Sequence, residues 1–330
     1  MDETSEWAWV YGGGGAPGPT ALQEISPGLL MKFECHQPGG NHKTRAARHI
    51  VRSALACGAL VPGRSTIVAR AGVSFGAGLL AACRGLNIPV ALAPSRGLGP
   101  QRRDALQRAG ARWLDGPDRA SGANPRAGAD VAPDAIVAWH LRHAQETGHS
   151  YFRADPFIDA MALRAHELET GPEIATQLAA RWPHVRRLSF VACAGTGASL
   201  TGIARVLRRE GFEVDVTLVE PAGACTQRGL FPVHRLSGMA MVHPVHLDWT
   251  QVDAVASVDY EETCHAARQL IRRTGHRIGV TTSACVAVAF RRLASHGHKA
   301  RGPRGHKTLV VCYDTGGWPA TDQPHRGVCP

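Results

Sequence analysis

The sequence predicts an α/β protein of two lobes in which parallel sheets are covered by helices. Short β-rich apolar runs alternate with segments of helical periodicity, which is the pattern of strands joined by crossover helices. The chain has 330 residues, a length that suits two lobes or one large α/β unit. Hydrophobic residues make up 44% and charged residues 19%, so the composition favours a soluble globular protein over a disordered one.

Each predicted element follows from a local pattern. Runs rich in Val, Ile, Leu and Thr predict strands at 65–69, 88–93, 188–193, 216–220 and 308–314. Amphipathic stretches predict helices at 44–57, 76–84, 100–109, 135–146, 157–169, 199–210, 260–274 and 283–295. Several of these helices are followed by a glycine, the residue that most readily adopts the left-handed conformation at a helix end.

Three segments are expected along the chain. Residues 1–19 form a flexible leader, residues 20–150 a first α/β lobe, and residues 151–330 a second. Residues 115–134 are rich in Gly, Pro, Ala and charge, which predicts a long loop within the first lobe. The leader lacks the basic residues and apolar stretch of a signal peptide, and no apolar run is long enough to span a membrane. A cytoplasmic protein without a membrane partner is therefore expected.

The balance of charge bears on possible partners. Lys+Arg number 37 against 27 Asp+Glu, a net charge of +10 that would suit nucleic acid or an anionic small molecule. The arginines are scattered through predicted helices without interleaved aromatic residues, so no nucleic-acid partner is expected. Nine cysteines, none in a CxxC pair and mostly in apolar surroundings, indicate buried thiols in place of a disulfide framework or a metal site.

The most informative segment is "FVACAGTGASLTGIARVLRREG", in which a predicted strand runs through a glycine-rich turn into a helix. Glycines allow a tight turn that presents backbone N–H groups, and the helix start adds positive partial charge. This combination favours a phosphate-bearing ligand. The spacing is neither that of a dinucleotide site nor that of a P-loop, so the turn alone does not identify the ligand.

Six segments in order resemble one family, the fold type II pyridoxal phosphate (PLP) enzymes, and within it the cysteine synthase and cystathionine β-synthase group. The segments are "MKFECHQPGGNHKTR" (31–45), "TGPEI" (170–174), "GTGASLTG" (195–202), "VEP" (219–221), "GVTTSA" (279–284) and Asp314-Thr315-Gly316. The resemblance extends from about residue 20 to about residue 318. It implies a two-lobe fold, a homodimer, and PLP in the cleft between the lobes.

The resemblance also implies roles for individual residues. Lys43 occupies the position of the lysine that forms the Schiff base with PLP and then shuttles the α proton. Thr281 occupies the position of the serine that hydrogen-bonds the pyridine nitrogen. The phosphate-binding residues would be Gly195, Thr196, Gly197, Ala198 and Ser199.

A hydroxyl at position 281 bears on the type of reaction. Unlike an aspartate, it does not keep the pyridine protonated, so the ring is a weaker electron sink. Such a site favours loss of the α proton together with a β substituent, through an aminoacrylate. The resemblance therefore implies β-elimination or β-replacement on a β-substituted amino acid, as in specialised amino-acid biosynthesis.

This chain departs from the family pattern in the segment that binds the substrate carboxylate. The family has "TSGNTG" where this chain has "RAGVSFGAG" (70–78), and the family's "QF" reads Tyr151-Phe152. Arg70 could bind a carboxylate or could be a solvated arginine at a strand end. The "LSGMAM" segment (236–241) resembles a family loop at the substrate entrance. The substrate-side candidates are Arg70, Ala71, Gly72, Val73, Ser74, Tyr151 and Gly238.

The rewritten substrate side leaves alternatives open. One is a β-replacing enzyme with a new substrate, a free amino acid or even a peptide residue. Another is a serine/threonine dehydratase-like lyase, which releases its product to hydrolysis. A third, from another class, is a non-catalytic relative that binds PLP or a partner. The intact Lys43 and phosphate loop favour an enzyme.

Overall fold

Two sheets organise the chain in the computed structural model, which describes residues 18–70, 72–94, 98–116, 132–296 and 305–315. Each sheet belongs to its own compact unit. Gln37–Ala162 form the first unit, and Pro19–His36 together with the chain from Leu163 onward form the second. No helix of the described part of the chain is long and apolar enough to cross a membrane.

The elements, numbered in chain order, alternate as the sequence predicts. The strands are β1 (Leu22–Ser26), β2 (Leu29–Lys32), β3 (Ser65–Arg70), β4 (Val90–Ala93), β5 (Arg112–Trp113), β6 (Ser150–Arg153), β7 (Arg187–Cys193), β8 (Glu213–Pro221), β9 (Ala254–Val258) and β10 (His306–Val311). The helices are α1 (Lys43–Ala56), α2 (Val73–Ala82), α3 (Pro100–Arg108), α4 (Pro133–Arg142), α5 (Ala144–Thr147), α6 (Met161–Ala165), α7 (Gly171–Arg181), α8 (Ala198–Arg209), α9 (Tyr260–Thr274) and α10 (Val280–His296).

The first unit is built on a parallel sheet with the strand order β5-β4-β3-β6. Every residue of β4 is buried, as expected for a parallel strand with helices on both faces. On one face, Ile67 and Leu92 pack with Leu79 of α2 and with α1. On the other face, Val68 packs with Ile136 of α4.

The second unit contains a six-stranded sheet in the order β1-β2-β10-β7-β8-β9. Only the β1–β2 hairpin is antiparallel, and the other neighbouring strands are parallel. Because the carboxyl ends of parallel strands lie at one edge, the turns that follow β7 and β10 leave the sheet on the same side. This edge places the glycine-rich turn after β7 near the chain that follows β10.

The predicted fold class and all five predicted strands are confirmed. The observed units differ from the predicted lobes, since residues 19–36 include β2, which pairs with β10, and so join the second unit. Strand β6 pairs with β3, which moves the boundary from residue 150 to residue 162. Most of the predicted leader (1–17) and of the predicted loop (117–131) lies outside the described residues.

Candidate active site

Lys43 is the first residue of α1, directly after a turn rich in glycine. Its backbone N–H donates to Asn41 Oδ1 at 2.9 Å, and Asn41 Nδ2 donates to the Gly39 carbonyl at 2.7 Å. The buried Asn41 side chain thus connects two points of the turn and satisfies an N–H group that a helix start otherwise leaves unpaired. The Lys43 backbone is fixed while its side chain stays half-buried.

A close approach between α2 and α1 fixes the same residue from another direction. A Cβ added to Gly78 would lie 3.0 Å from the Cα of Thr44 and 3.2 Å from the carbonyl carbon of Lys43. A Cβ added to Gly39 would lie 2.3 Å from Thr44 Oγ1. Only glycine permits these close approaches to Thr44 at both positions without displacement. The sequence identifies Lys43 but assigns no role to Gly78, because the packing partner of Gly78 is distant in sequence.

The predicted phosphate loop lies between β7 and α8. Gly197 has a positive φ of +87°, and a Cβ there would lie 2.4 Å from the backbone nitrogen of Leu247. A Cβ on Gly195 would lie 2.9 Å from the Gly238 carbonyl oxygen. Both glycines are therefore required by the backbone path of the turn.

The loop presents backbone donors. Within the described residues, no acceptor receives the N–H groups of Gly195, Thr196 and Gly197, and the N–H of Ala198 donates to Thr196 Oγ1 at 3.3 Å. Helix α8 begins at Ala198 and adds its N-terminal partial charge. Gly195, Thr196 and Ser199 are partly accessible. An anion such as a phosphate fits these donors.

Gly238 and Thr281 meet the phosphate loop in the second unit. Thr281, in the first turn of α10, donates its hydroxyl to the Ser237 carbonyl at 3.0 Å. Gly238 has a φ of +97°, and a Cβ there would lie 3.0 Å from Thr281 Oγ1. Since the Gly238 carbonyl also faces Gly195, this one residue lies between the phosphate loop and the predicted pyridine-side hydroxyl.

The segment around Thr281 is supported by the chain that follows β10. The Gly279 N–H donates to the Asp314 carbonyl at 2.8 Å, and the Tyr313 N–H donates to Thr282 Oγ1 at 3.0 Å. Ser283 Oγ donates to the Gly279 carbonyl at 2.9 Å. Thr282 is fully buried, so these bonds are shielded from water. Gly316, the last residue of the sixth motif, lies outside the described residues.

The predicted carboxylate loop runs from the end of β3 into α2. Gly72 is exposed at the N-cap of α2, and Val73 and Ser74 form its first turn, both half-buried. Ala71 lies outside the described residues. Gly72 has no side chain to cap the first N–H groups of α2, so these groups suit a substrate carboxylate.

Arg70 lies among carboxylates of its own unit. Its guanidinium contacts Asp155 at 3.4 Å and Asp134 at 3.3 Å, and lies 4.9 Å from the centre of the Phe157 ring. The nearly buried Asp155 also accepts from Arg153 at 2.8 Å. These contacts favour the structural interpretation of Arg70 over the carboxylate-binding one. Asp155 was missed from the sequence because no motif marks it.

Strand register separates Tyr151 from the carboxylate loop. Tyr151 pairs with Thr66 of β3, toward the amino end of the strand, whereas Arg153 pairs with Val68. The Tyr151 ring stacks on His149 with centroids 5.6 Å apart. Because Arg153 pairs with Val68, the residues that lie beside Arg70 are those that follow β6. This register weakens the prediction that Tyr151 binds substrate.

The thiols near these segments differ in acidity. Cys312 Sγ lies 3.4 Å from Cys35 Sγ, and this hydrogen bond lowers the pKa of Cys35. Burial, and then a hydrogen bond with Cys193, raises the pKa of Cys285, so this thiol remains protonated. Among the described residues, no group of His, Cys, Asp or Glu side chains is arranged to hold a metal ion.

Comparison with known proteins identifies relatives over nearly the whole chain. A model of the pyridoxal-phosphate dependent enzyme family matches residues 15–312. Cysteine synthase of Staphylococcus aureus is 26% identical over 291 residues, which cover 88% of this chain and 86% of the relative. O-ureido-L-serine synthase of Streptomyces lavendulae is 28% identical over 301 residues, covering 89% and 85%.

Solved structures give the same relationship in three dimensions. The crystal structure of an O-ureido-L-serine synthase matches the chain with a TM-score of 0.75 and 26% identity, over 94% of both chains. A structure of a lysine-to-alanine variant of O-ureido-L-serine synthase with O-ureido-L-serine bound matches with a TM-score of 0.73 and 26% identity, over 94% of this chain and 92% of that one.

Proposed function

The chain belongs to the pyridoxal-phosphate dependent enzyme family, and from this premise we propose that it exchanges the β substituent of an O-substituted L-serine for a nucleophile. It is an enzyme of fold type II that uses PLP, as the six motifs predict. The relatives reported above, a cysteine synthase and an O-ureido-L-serine synthase, support the choice of a serine-derived substrate and a synthase outcome.

One observation carries the proposal: the second unit brings the donors of the phosphate loop, Gly238 and Thr281 together. The loop supplies N–H groups that no described residue accepts, at the start of a helix. The buried Thr281 hydroxyl lies on the other side of Gly238. A phosphate-bearing pyridine ring requires these two kinds of group, so the residues fit PLP.

We assign the following roles. The backbone N–H groups of Gly195–Gly197, with the hydroxyls of Thr196 and Ser199, hold the phosphate. Thr281 would be the hydrogen-bond partner of the pyridine nitrogen. Its hydroxyl donates to the Ser237 carbonyl and can accept a hydrogen bond, or it can rotate to donate one. An uncharged partner of this kind does not keep the nitrogen protonated.

Lys43 has two tasks in this proposal. Bound PLP withdraws electrons from the α carbon of an attached amino acid, which eases loss of the α proton and of the β substituent. Lys43 Nζ would be the covalent anchor of the cofactor and the base that takes the α proton. The Asn41 bonds and the Gly78 contact hold its backbone in place, which favours a reproducible position of the amine.

The start of α2 is proposed to bind the substrate carboxylate. Gly72, Val73 and Ser74 form its N-cap and first turn, where N–H groups and the helix dipole favour an anion. Arg70 and Tyr151 have weaker support, since Arg70 pairs with Asp155 and Tyr151 lies nearer the amino end of β6. Gly238, whose carbonyl faces Gly195, would line the substrate entrance.

We further propose that the enzyme is a cytoplasmic homodimer. The described cysteines are free thiols, which suits a reducing compartment. Several apolar side chains on residues 230–245 are exposed and would suit a contact with a second copy: Leu230, Val233, Met241, Val242 and Val245. Light scattering after size-exclusion chromatography tests the assembly state, and a monomer would contradict it.

Product analysis tests the proposed reaction. The PLP-loaded enzyme is mixed with O-acetyl-L-serine and a panel of thiol, amine and hydroxyurea nucleophiles, and products are identified by mass spectrometry. A new β-substituted amino acid whose yield depends on the nucleophile is expected. Pyruvate and ammonia with every nucleophile would establish the lyase instead. An unchanged substrate in every mixture, from enzyme that holds PLP, would favour a non-catalytic relative.

A further inference from the structure

Residues 246–248 lie directly against the phosphate loop, although no motif includes them. A Cβ on Gly197 would come within 2.4 Å of the Leu247 nitrogen and 2.7 Å of the Leu247 Cα. The His246 N–H donates to the Thr196 carbonyl at 2.9 Å. The loop therefore takes its shape partly from the backbone of this segment, which is termed the clamp below.

Thr201 connects the clamp to α8. The Asp248 N–H donates to Thr201 Oγ1 at 3.0 Å, and Thr201 is fully buried. The N–H of Thr201 donates to the Gly197 carbonyl at 3.0 Å, in the first turn of the helix. The Thr201 side chain thus joins the clamp to the same helical turn that carries the loop.

Asp248 is held by a second group of α8. Its Oδ2 accepts from Arg205 at 2.8 Å, and its Oδ1 accepts from the Thr250 N–H at 3.0 Å. Thr201 and Arg205 are four residues apart, so they lie on one face of α8. Hydrogen bonds from Thr250 and then from Arg205 lower the pKa of Asp248, which keeps this anchor charged at neutral pH.

We propose that Thr201 is a positioning residue for the cofactor phosphate: its hydroxyl holds the clamp against Thr196 and Gly197 and so keeps their N–H groups aimed at the anion. The inference rests on the proposed function, in which this loop binds the phosphate of PLP. Thr201 itself, being fully buried and engaged with Asp248, acts through the loop.

The test compares PLP with pyridoxal, which has the same ring and aldehyde but no phosphate. Resolved apoenzyme is titrated with each, and the ratio of the two Kd values measures the contribution of the phosphate. We expect Thr201→Val, which keeps the volume and removes the acceptor, to reduce this preference for PLP roughly three- to tenfold, the equivalent of about one buried hydrogen bond. Thr201→Ser, which restores the hydroxyl, should recover most of the preference.

A matched control separates positioning from general destabilisation. Thr263 is also fully buried, in helix α9, and its hydroxyl donates to the Asp259 carbonyl at 2.7 Å, within the same helix end. Thr263→Val should lower the melting temperature yet leave the ratio unchanged.

The outcomes distinguish the inference from the function beneath it. A Thr201→Val ratio equal to that of the wild type, with tight PLP binding in both, would overturn the positioning role and leave the proposed function standing. An equal weakening of PLP and pyridoxal would overturn it too, since that pattern indicates a general structural effect. If the wild type itself shows no preference for PLP, the phosphate loop assignment fails and the inference fails with it.

Discussion

The loop proposed to bind the phosphate and the segment around Arg70 are held in place by different kinds of contact. At Gly195 and Gly197 backbone packs on backbone, and an added Cβ would lie within 3 Å of another backbone atom. Arg70 is held by long side chains, in an ion-pair network with Asp155 and Asp134. Backbone-determined geometry tolerates few substitutions, whereas side-chain networks can be rewritten. The phosphate loop accordingly keeps the family pattern, whereas residues 70–78 depart from it.

The largest effect is expected at Lys43, because no packing contact can substitute for its amine. Lys43→Ala should lower kcat by about 10³-fold or more, because both the covalent anchor and the base are lost. Its melting temperature should stay close to that of the wild type. Lys307→Ala, at a partly buried ion pair with Glu24, is the control and should retain activity. Comparable activity in the two variants would remove Lys43 from the mechanism.

The second-largest effect is expected at Gly197, where a substitution tests whether backbone packing fixes the phosphate loop. Gly197→Ala would place a Cβ 2.4 Å from the Leu247 nitrogen, so we expect PLP affinity to fall by roughly 100-fold, or about 2.7 kcal/mol. Gly211→Ala is the matched control, since Gly211 also has a positive φ, of +84°, but no atom within 4 Å of an added Cβ. It should lose only about 1–2 kcal/mol of stability from backbone strain. Equal PLP affinities in the two variants would contradict the account.

A smaller effect is expected where helix packing positions Lys43. Alanine normally stabilises a helix interior by about 1 kcal/mol over glycine. In Gly78→Ala the Cβ would instead press on the Thr44 Cα at 3.0 Å, and we expect a lower melting temperature with a roughly tenfold lower kcat. Gly76→Ala, in the same helix, serves as the stability control, because its Cβ would meet only side-chain atoms, Leu92 Cδ1 at 3.0 Å and Leu106 Cδ2 at 3.6 Å. A gain of stability in Gly78→Ala would show that the contact is not limiting.

A still smaller effect is expected at Arg70. If Arg70 is structural, Arg70→Gln should change the KM for the amino-acid substrate by less than about threefold and cost about 1 kcal/mol of stability. Arg153→Gln, which breaks another ion pair with Asp155, should have the same two effects. A carboxylate-binding arginine would instead raise KM by at least about tenfold at Arg70 alone. Steady-state kinetics with thermal unfolding of both variants distinguishes the two roles.

The smallest effect concerns the ion pairs that Arg205 makes with Glu167 and with Asp248 of the clamp. Bonds from Arg205 and Arg164 outweigh burial and lower the pKa of Glu167, and the pKa of Asp248 is also lowered. Depressed carboxyl pKa values contribute stability that is complete above about pH 4.5 and is lost as pH falls through the folded values. The melting-temperature difference between wild type and Arg205→Gln should therefore shrink below about pH 4. A difference independent of pH would contradict these pairings.

The same contrast explains what could be predicted from the sequence. The glycine-rich turn after β7 was recognisable because its chemistry resides in the backbone and needs consecutive small residues. Asn41, Gly78 and Asp155 were not, since each acts through a partner that only the folded chain brings near. Strand β5 has two residues and β1 lies at a sheet edge, so neither gives a sufficiently long apolar run. Tyr151 was matched to the family by sequence, whereas its position depends on pairing with Thr66 of β3, which the motif does not encode.

Lys43 is proposed to carry PLP, and the loop after β7 is proposed to bind its phosphate. Borohydride reduction of the purified enzyme followed by peptide mapping tests the first assignment. We predict a phosphopyridoxyl group on the peptide that contains Lys43, on no other lysine, and its loss from this peptide in Lys43→Ala. A phosphopyridoxyl group on a different lysine of the wild type, or on none after incubation with PLP, would contradict it.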